Sequence, residues 1–208
     1  DEPSRRGQSI LGGAIQIALA QREASDAEKA AFRKTGSLSE TVRMRAMAIG
    51  PAPVNDSVLA ELKAIDGTYP HYGALTLTDG KAAKAPGSGE IYIGPSLANR
   101  LDLSVGSSLR FGKATFRVAG IIQNEPDRLG EGFTVGPVAI IGMESLSATG
   151  LIQPGSMFES KYRIKLPVMA DPTDVAKQLQ AQFRSAGWEV TDRSNGAPGT
   201  RRFIERMG

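Results

Sequence analysis

The chain contains no cysteine, one histidine and one tryptophan in 208 residues. The missing thiols exclude disulfides and cysteine–metal centres. The lone His71 must supply any histidine-based general acid–base chemistry. It lies in "TYPHYGAL" beside no serine elbow of the G-x-S-x-G type and no S-x-x-K pair, so its expected role is a turn residue at the surface. A phosphate-binding G-x-x-x-x-G-K-[ST] loop is absent, and so is a G-x-G-x-x-G on a strand-to-helix turn. These gaps leave no expected cofactor and no expected catalytic residue. Nor is there a run of the roughly 18–20 apolar residues that a membrane helix requires. The best candidate, "GFTVGPVAIIGM", is short and interrupted by Gly and Pro, as befits a buried strand. Charge of one sign is scarce as well. A net +3 from 25 basic and 22 acidic residues, spread along the chain, does not make the clustered basic face of a nucleic-acid binder.

What remains is a folded-domain composition, 40% hydrophobic and 23% charged, with ordered periodicity. "ILGGAIQIALA" alternates Ile15, Ile17 and Leu19, a strand signal. Ser25 and Glu28 then form a capping-box pattern that opens a helix, with Ala27, Ala30 and Ala31 as a small-residue face and Gly36 as an expected left-handed stop. "SETVRMRAMAI" alternates Val42, Met44, Ala46 and Ala48 against Arg43 and Arg45. This is β-α-β. "SVLAELKAID" fits a helix and a strand almost equally; a strand is the expectation. "KAAKAPGSGE" reads as a loop.

From Glu90 the texture is short β segments with a helix opening at Pro95 and another near "MESLSATG". After Gly155 the first pattern returns. "SKYRIKLPV" reads as a strand, "DPTDVAKQLQAQFRSAG" as a helix capped by Asp171 and ended by Gly187, and "WEVTD" as a closing strand. Two β-α-β halves thus flank a β-rich insertion, the split ferredoxin-like α+β arrangement, burying Phe32, Leu179, Phe183 and Trp188. The expected boundaries are 1–66, 67–159 and 160–208, the middle span being the inserted β-rich subdomain. Motion is expected about joints near 67–80 and 155–162.

Several residues invite a functional reading. Tyr69, Pro70, His71 and Tyr72 sit at the handover to the insertion and are expected to seal an interface. Glu125, Asp127 and Glu131 in "NEPDRLGEG" read as a solvated loop with Arg128 as counter-charge. Met44, Met47, Met143 and Met157 read as core filler. In "TRRFIERMG", helical spacing would place Phe203, Ile204 and Met207 on one face, with Arg201, Arg202 and Arg206 on other sides.

"LGGAIQIALAQREASDAEKAAFRKTGSLSETVRMRAMA", "ELKAIDGTYPHYGAL" and "EPDRLGEGFTVGPVAII" resemble the extracytoplasmic segment of FtsX/MacB-type ABC transporter permeases, in their YbbP-like branch. "GPSLANRLDLSVGSSLRFGKATFRVAGII" resembles the β-rich subdomain of such regions. The resemblance implies a porter-like domain with an inserted β-rich subdomain on the periplasmic side of the bacterial inner membrane. It implies a non-catalytic role, transmitting ATP-driven conformational change to a periplasmic partner or a lipid-like substrate. The implied partners are a cytoplasmic ABC ATPase subunit, a second permease copy and a periplasmic lysophospholipase/thioesterase-type hydrolase. It also makes residues 201–207 a membrane-proximal stalk. The competing reading is a stand-alone lipid or ester hydrolase, or a ligand-binding domain.

Overall fold

A computed structural model describes residues 13–71, 73–126 and 136–193, together with the backbone of a strand at 201–204. The chain forms two compact units, one from residues 1–40 and 159–208 and one from 41–158.

The first unit is built on β1 (Ala14–Ala20), α1 (Asp26–Thr35) and the start of β2 (Ser37–Ile49), with β9 (Phe158–Lys165), α4 (Pro172–Gln182), β10 (Glu189–Arg193) and β11 (Arg201–Ile204) returning from the far end of the sequence. β1 pairs antiparallel with both β9 and β10. β9 and β10 are therefore parallel to each other, with β1 between them. This is the split β-α-β expected from the sequence: the α4 crossover skips one strand, and the other half of the chain fills the gap. Helix α1 starts where predicted. The Glu28 amide donates to Ser25 Oγ at 3.1 Å and the Ser25 amide donates to Glu28 Oε1 at 2.9 Å, completing the capping box. Asp171 caps α4, with Pro172 in its first turn. The core under the sheet contains Ile15, Ile17, Phe32, Tyr162, Leu179 and Trp188, and the partly buried Phe183 packs against it. The Phe32 and Trp188 rings meet edge-on at 5.3 Å.

Three expectations change here. Gly36 is extended (φ 176°), not left-handed. A Cβ there would meet the Lys165 carbonyl oxygen at 2.2 Å, so this glycine permits a close backbone approach. Gly187 does not end α4. The helix stops at Gln182, and Gly187 takes a positive φ of 72° just before β10. Residues 201–204 form β11, antiparallel to β10, instead of the expected helix. A strand edge left by β10 outcompetes the helical spacing of a segment this short. Arg206 and Met207 lie outside the described residues.

The second unit holds most of β2, then β3 (Ser57–Ile65), β4 (Thr76–Leu77), β5 (Glu90–Ile93), α2 (Pro95–Arg100), β6 (Ser108–Phe111), β7 (Ala114–Asn124), β8 (Val138–Gly142) and α3 (Met143–Thr149). The ambiguous "SVLAELKAID" is a strand. It pairs antiparallel with β2 (Met44 opposite Leu62) and parallel with β8. From β8 the ladder passes to β5, then β7, then β6, and β6 pairs back onto β2 through Ala48–Phe111 and Ile49–Arg110. Six strands thus close a small barrel, which leaves those strands no free edges. Its interior is filled by Val42, Met44, Leu62, Ile91, Phe111, Phe116 and Ile141 among others, and by Leu97, Leu101 and Leu146 from or beside the two short helices.

A second apolar cluster (Ile65, Tyr69, Leu75, Leu77, Ile122, Val138, Ile140) covers part of the opposite face. Both faces of β8 are therefore buried, which is why "VAIIG" is a continuous apolar run instead of an alternating one. Because β3 belongs to the barrel, the first boundary falls between residues 40 and 41, inside β2, not after residue 66, and the second falls between 158 and 159. The 67–80 stretch consequently lies within the second unit and is not a joint between the two.

Glycines let the barrel close. Gly106 and Gly112 have positive φ of 96° and 56° in the turns around β6, a conformation that side chains with a Cβ resist. A Cβ on Gly112 would also meet the Thr149 carbonyl oxygen at 2.1 Å, and one on Gly120 would meet Leu77 Cδ1 at 2.5 Å.

Candidate functional site

Among the described residues each unit holds a buried ionic cluster, and the first also carries an open groove. In the second unit, β3 alternates so that Leu62 enters the barrel while Lys63 points to the opposite face. There Lys63 is 2% exposed. Its ammonium donates to Glu125 Oε1 at 2.7 Å and to the Tyr69 hydroxyl at 3.4 Å, and it lies 4.9 Å from the centroid of the Tyr69 ring. The Tyr69 hydroxyl donates to the same carboxylate oxygen at 3.3 Å. Tyr69 is carried by a turn closed by Asp66, whose carboxylate accepts from the amides of Thr68 and Tyr69, each at 3.1 Å. Burying a charge is unfavourable unless it is paired and hydrogen-bonded, and this cluster meets that condition.

Glu125 therefore departs from the expectation. It is not a solvated loop carboxylate balanced by Arg128; its counter-charge is Lys63 on a distant strand. Asp127, Arg128 and Glu131 lie outside the described residues. Of the aromatic turn, Tyr69 is a buried member of this cluster, Pro70 and His71 are half-buried, and Tyr72 lies outside the described residues. Met44 is buried as expected, but Met47 and Met157 are 44% and 72% exposed. Met47 sits on the outer face of β2, opposite Leu59, which is itself 49% exposed.

In the first unit the capping carboxylate does more than cap. Glu28 receives Arg22 Nη1 at 2.8 Å and Nη2 at 3.0 Å, and the indole N–H of Trp188. Arg22 also donates to the Ala186 carbonyl at 2.8 Å. Burial alone would raise the Glu28 pKa. The hydrogen bonds from Arg22, the Ser25 amide and Trp188 overcome it and hold the carboxyl at about 2. Close by, the Ala24 amide donates to the Tyr162 hydroxyl at 2.9 Å, and burial pushes that phenol's pKa up. These groups are satisfied by one another. They fix the start of α1 to the segment just before β10.

The groove runs between α1 and α4, with a volume of about 380 Å³. Ala27, Ala30, Ala31, Lys34 and Thr35 form one wall, and Val175, Gln178, Leu179 and Gln182 the other. None of these side chains is a nucleophile–base pair. Among the described residues no group of three or more His, Asp or Glu side chains is placed to hold a metal ion, and no helix is long and apolar enough to cross a membrane.

The chain's relatives are transporter components. A family model described as the MacB-like periplasmic core domain matches residues 6–186. The uncharacterized ABC transporter permease YbbP of Escherichia coli (strain K12) is 35% identical over 105 residues, which is 50% of this chain and 13% of that protein. Among solved structures, the periplasmic region of MacB from Actinobacillus actinomycetemcomitans superimposes with a TM-score of 0.53 at 12% identity, covering 99% of this chain and 94% of that one. The extracellular domain of the noncanonic ABC-type transporter YknZ from Gram-positive bacteria gives a TM-score of 0.57 at 13% identity, over 85% of this chain and 98% of that one. At such identities the structural likeness speaks for the fold.

Proposed function

Because the chain belongs to the family of MacB-like periplasmic core domains, we propose that it is the non-catalytic extracytoplasmic domain of an ABC transporter permease and passes ATP-driven movement to a periplasmic partner or a lipid-like substrate. The observation that carries the mechanical part is the two-unit build. Each unit has its own core, and the chain passes from one to the other at 40/41, within β2, and at 158/159, at the start of β9. Two separately cored bodies joined by two crossings can be displaced without unfolding either. The closed barrel and the capped, ion-paired α1 suit such use, because rigid bodies transmit displacement instead of absorbing it.

Within a permease, a cytoplasmic ATPase subunit would supply the energy and a second permease copy would complete the assembly. The family resemblance adds a lysophospholipase/thioesterase-type hydrolase as the periplasmic partner.

The test uses the full permease with its ATPase subunit in liposomes. Spin labels are placed at the exposed positions Asp174 on α4 and Thr115 on β7. Their distance distribution is expected to change between the nucleotide-free and ATP-trapped states. One unchanged, narrow distance in both states overturns the reading.

A further inference from the structure

We propose that the groove between α1 and α4 is a docking site for one amphipathic helix of a protein partner, a helix with a small apolar seam and a carboxylate placed to meet Lys34. The groove is walled by two helix faces in the same register. Ala27, Ala30, Ala31 and Lys34 follow i, i+3, i+4, i+7 spacing on α1, and Val175, Gln178, Leu179 and Gln182 follow it on α4. Two such faces with a trough between them are the surface that a third helix completes, its ridge of side chains entering the groove. Each wall spans seven residue steps, about 10 Å or two helical turns. That length suits three or four seam residues of a partner helix.

The lining explains which helix. Alanines at 27, 30 and 31 remove bulk from one wall, so a partner axis can approach closely. These alanines contribute no side-chain entropy cost on docking. Ala27 and Ala30 are exposed, and Ala31, Val175 and Leu179 supply the deeper apolar surface. Gln178 and Gln182 offer amide donors and acceptors along the rim. Among the described residues, the one charge lining the groove is Lys34, beside the exposed Arg33 in the basic last turn of α1, and no acidic side chain lines it. A carboxylate at that end of the partner meets this positive end, whereas a basic side chain there is repelled. An acyl chain would find no long enclosed tunnel here, and a β-strand would find two helices instead of a free sheet edge. The groove's shape does not depend on whether the domain transmits movement, so the two readings stand or fall separately.

The probe is a synthetic 16-residue amphipathic helical peptide with an Ala/Leu seam and two flanking Glu residues, titrated into the isotope-labelled 208-residue chain and followed by amide chemical shifts. Shifts are expected to concentrate at residues 27–35 and 175–182. Lys34→Glu should weaken the Glu peptide at least fivefold and strengthen a peptide with Lys in place of Glu at least fivefold. Ala30→Trp, a change at an exposed position, should abolish binding with the far-UV dichroism retained. Shifts scattered over the chain, no shifts at millimolar peptide, or no response to the charge swap overturn the proposal. So do shifts at the same residues on concentrating the chain alone, which would assign the groove to a second copy. Equal displacement by oleate micelles would assign it to a lipid and likewise overturn it.

Discussion

Replacing Lys63 by Met tests how the second unit is held together. The ammonium and the Glu125 carboxylate are 2.7 Å apart, with side chains 2% and 5% exposed. At an effective dielectric of about 20, charges at that distance attract by about 6 kcal/mol. Removing both ions from water costs several kcal/mol each, so the pair is close to neutral as a unit. The single substitutions break that balance. Lys63→Met leaves Glu125 buried with the Tyr69 hydroxyl as its remaining donor among the described residues, and a loss of about 4 kcal/mol is expected, in the range for removing one partner of a buried pair. Glu125→Gln should cost less, about 2 kcal/mol, because the new amide oxygen and the Tyr69 ring and hydroxyl still face the ammonium. The double variant Lys63→Met/Glu125→Leu should fall within about 1.5 kcal/mol of the parent.

Urea unfolding followed by far-UV dichroism measures these differences. With a slope of about 2 kcal/mol per molar urea, Lys63→Met lowers the midpoint of the second unit by about 2 M. Trp188 lies in the first unit, whose fluorescence transition should move far less. A Lys63→Met cost below about 1 kcal/mol, or a double variant as unstable as the sum of the singles, refutes the coupled buried pair.

Glu28 gives a pH dependence of definite sign. Its folded pKa of about 2 lies below the ordinary 4.5. Its contribution, up to about 3 kcal/mol, is therefore complete above pH 5 and is lost as the pH falls toward 2. Trp188 fluorescence during urea unfolding should show the loss in the parent, and a flatter profile in Glu28→Gln; parallel profiles would contradict it. Three glycine substitutions separate conformational strain from contact. Gly106→Ala, with positive φ and open space around it, should cost about 1 kcal/mol. Gly36→Ala, extended but against the Lys165 carbonyl, should cost about 2 kcal/mol, and Gly112→Ala, which combines both faults, at least 3 kcal/mol. Thermal unfolding ranks them, and an equal cost for all three would show that the backbone yields at these contacts.

Much of the fold was legible because it is local. The Ser25–Glu28 box, the Asp171-Pro172 start of α4 and the alternation of Ile15, Ile17 and Leu19 each follow from interactions within a few residues, and each is present as read. The split β-α-β pattern followed from the order of such elements. What the sequence could not decide depends on partners far along the chain. "SVLAELKAID" satisfies both periods, and only the β2 and β8 ladders make it a strand. The barrel closes through a short β6–β2 contact between strands about sixty residues apart, a pairing that no local pattern encodes. Gly36 and Gly112 look like ordinary turn glycines until Lys165 and Thr149 arrive beside them. Lys63 alternates like any solvent-facing lysine, and Glu125 sits in a loop-like, polar stretch. Their burial and pairing exist only because a second apolar cluster covers that face of the barrel. In the same way, the alanines of α1 announce a small surface, but the groove they line exists only once α4 packs alongside. Short-range hydrogen bonding and side-chain period are written residue by residue. Closure, close approach and charge pairing arise from which distant segments the folded backbone brings together.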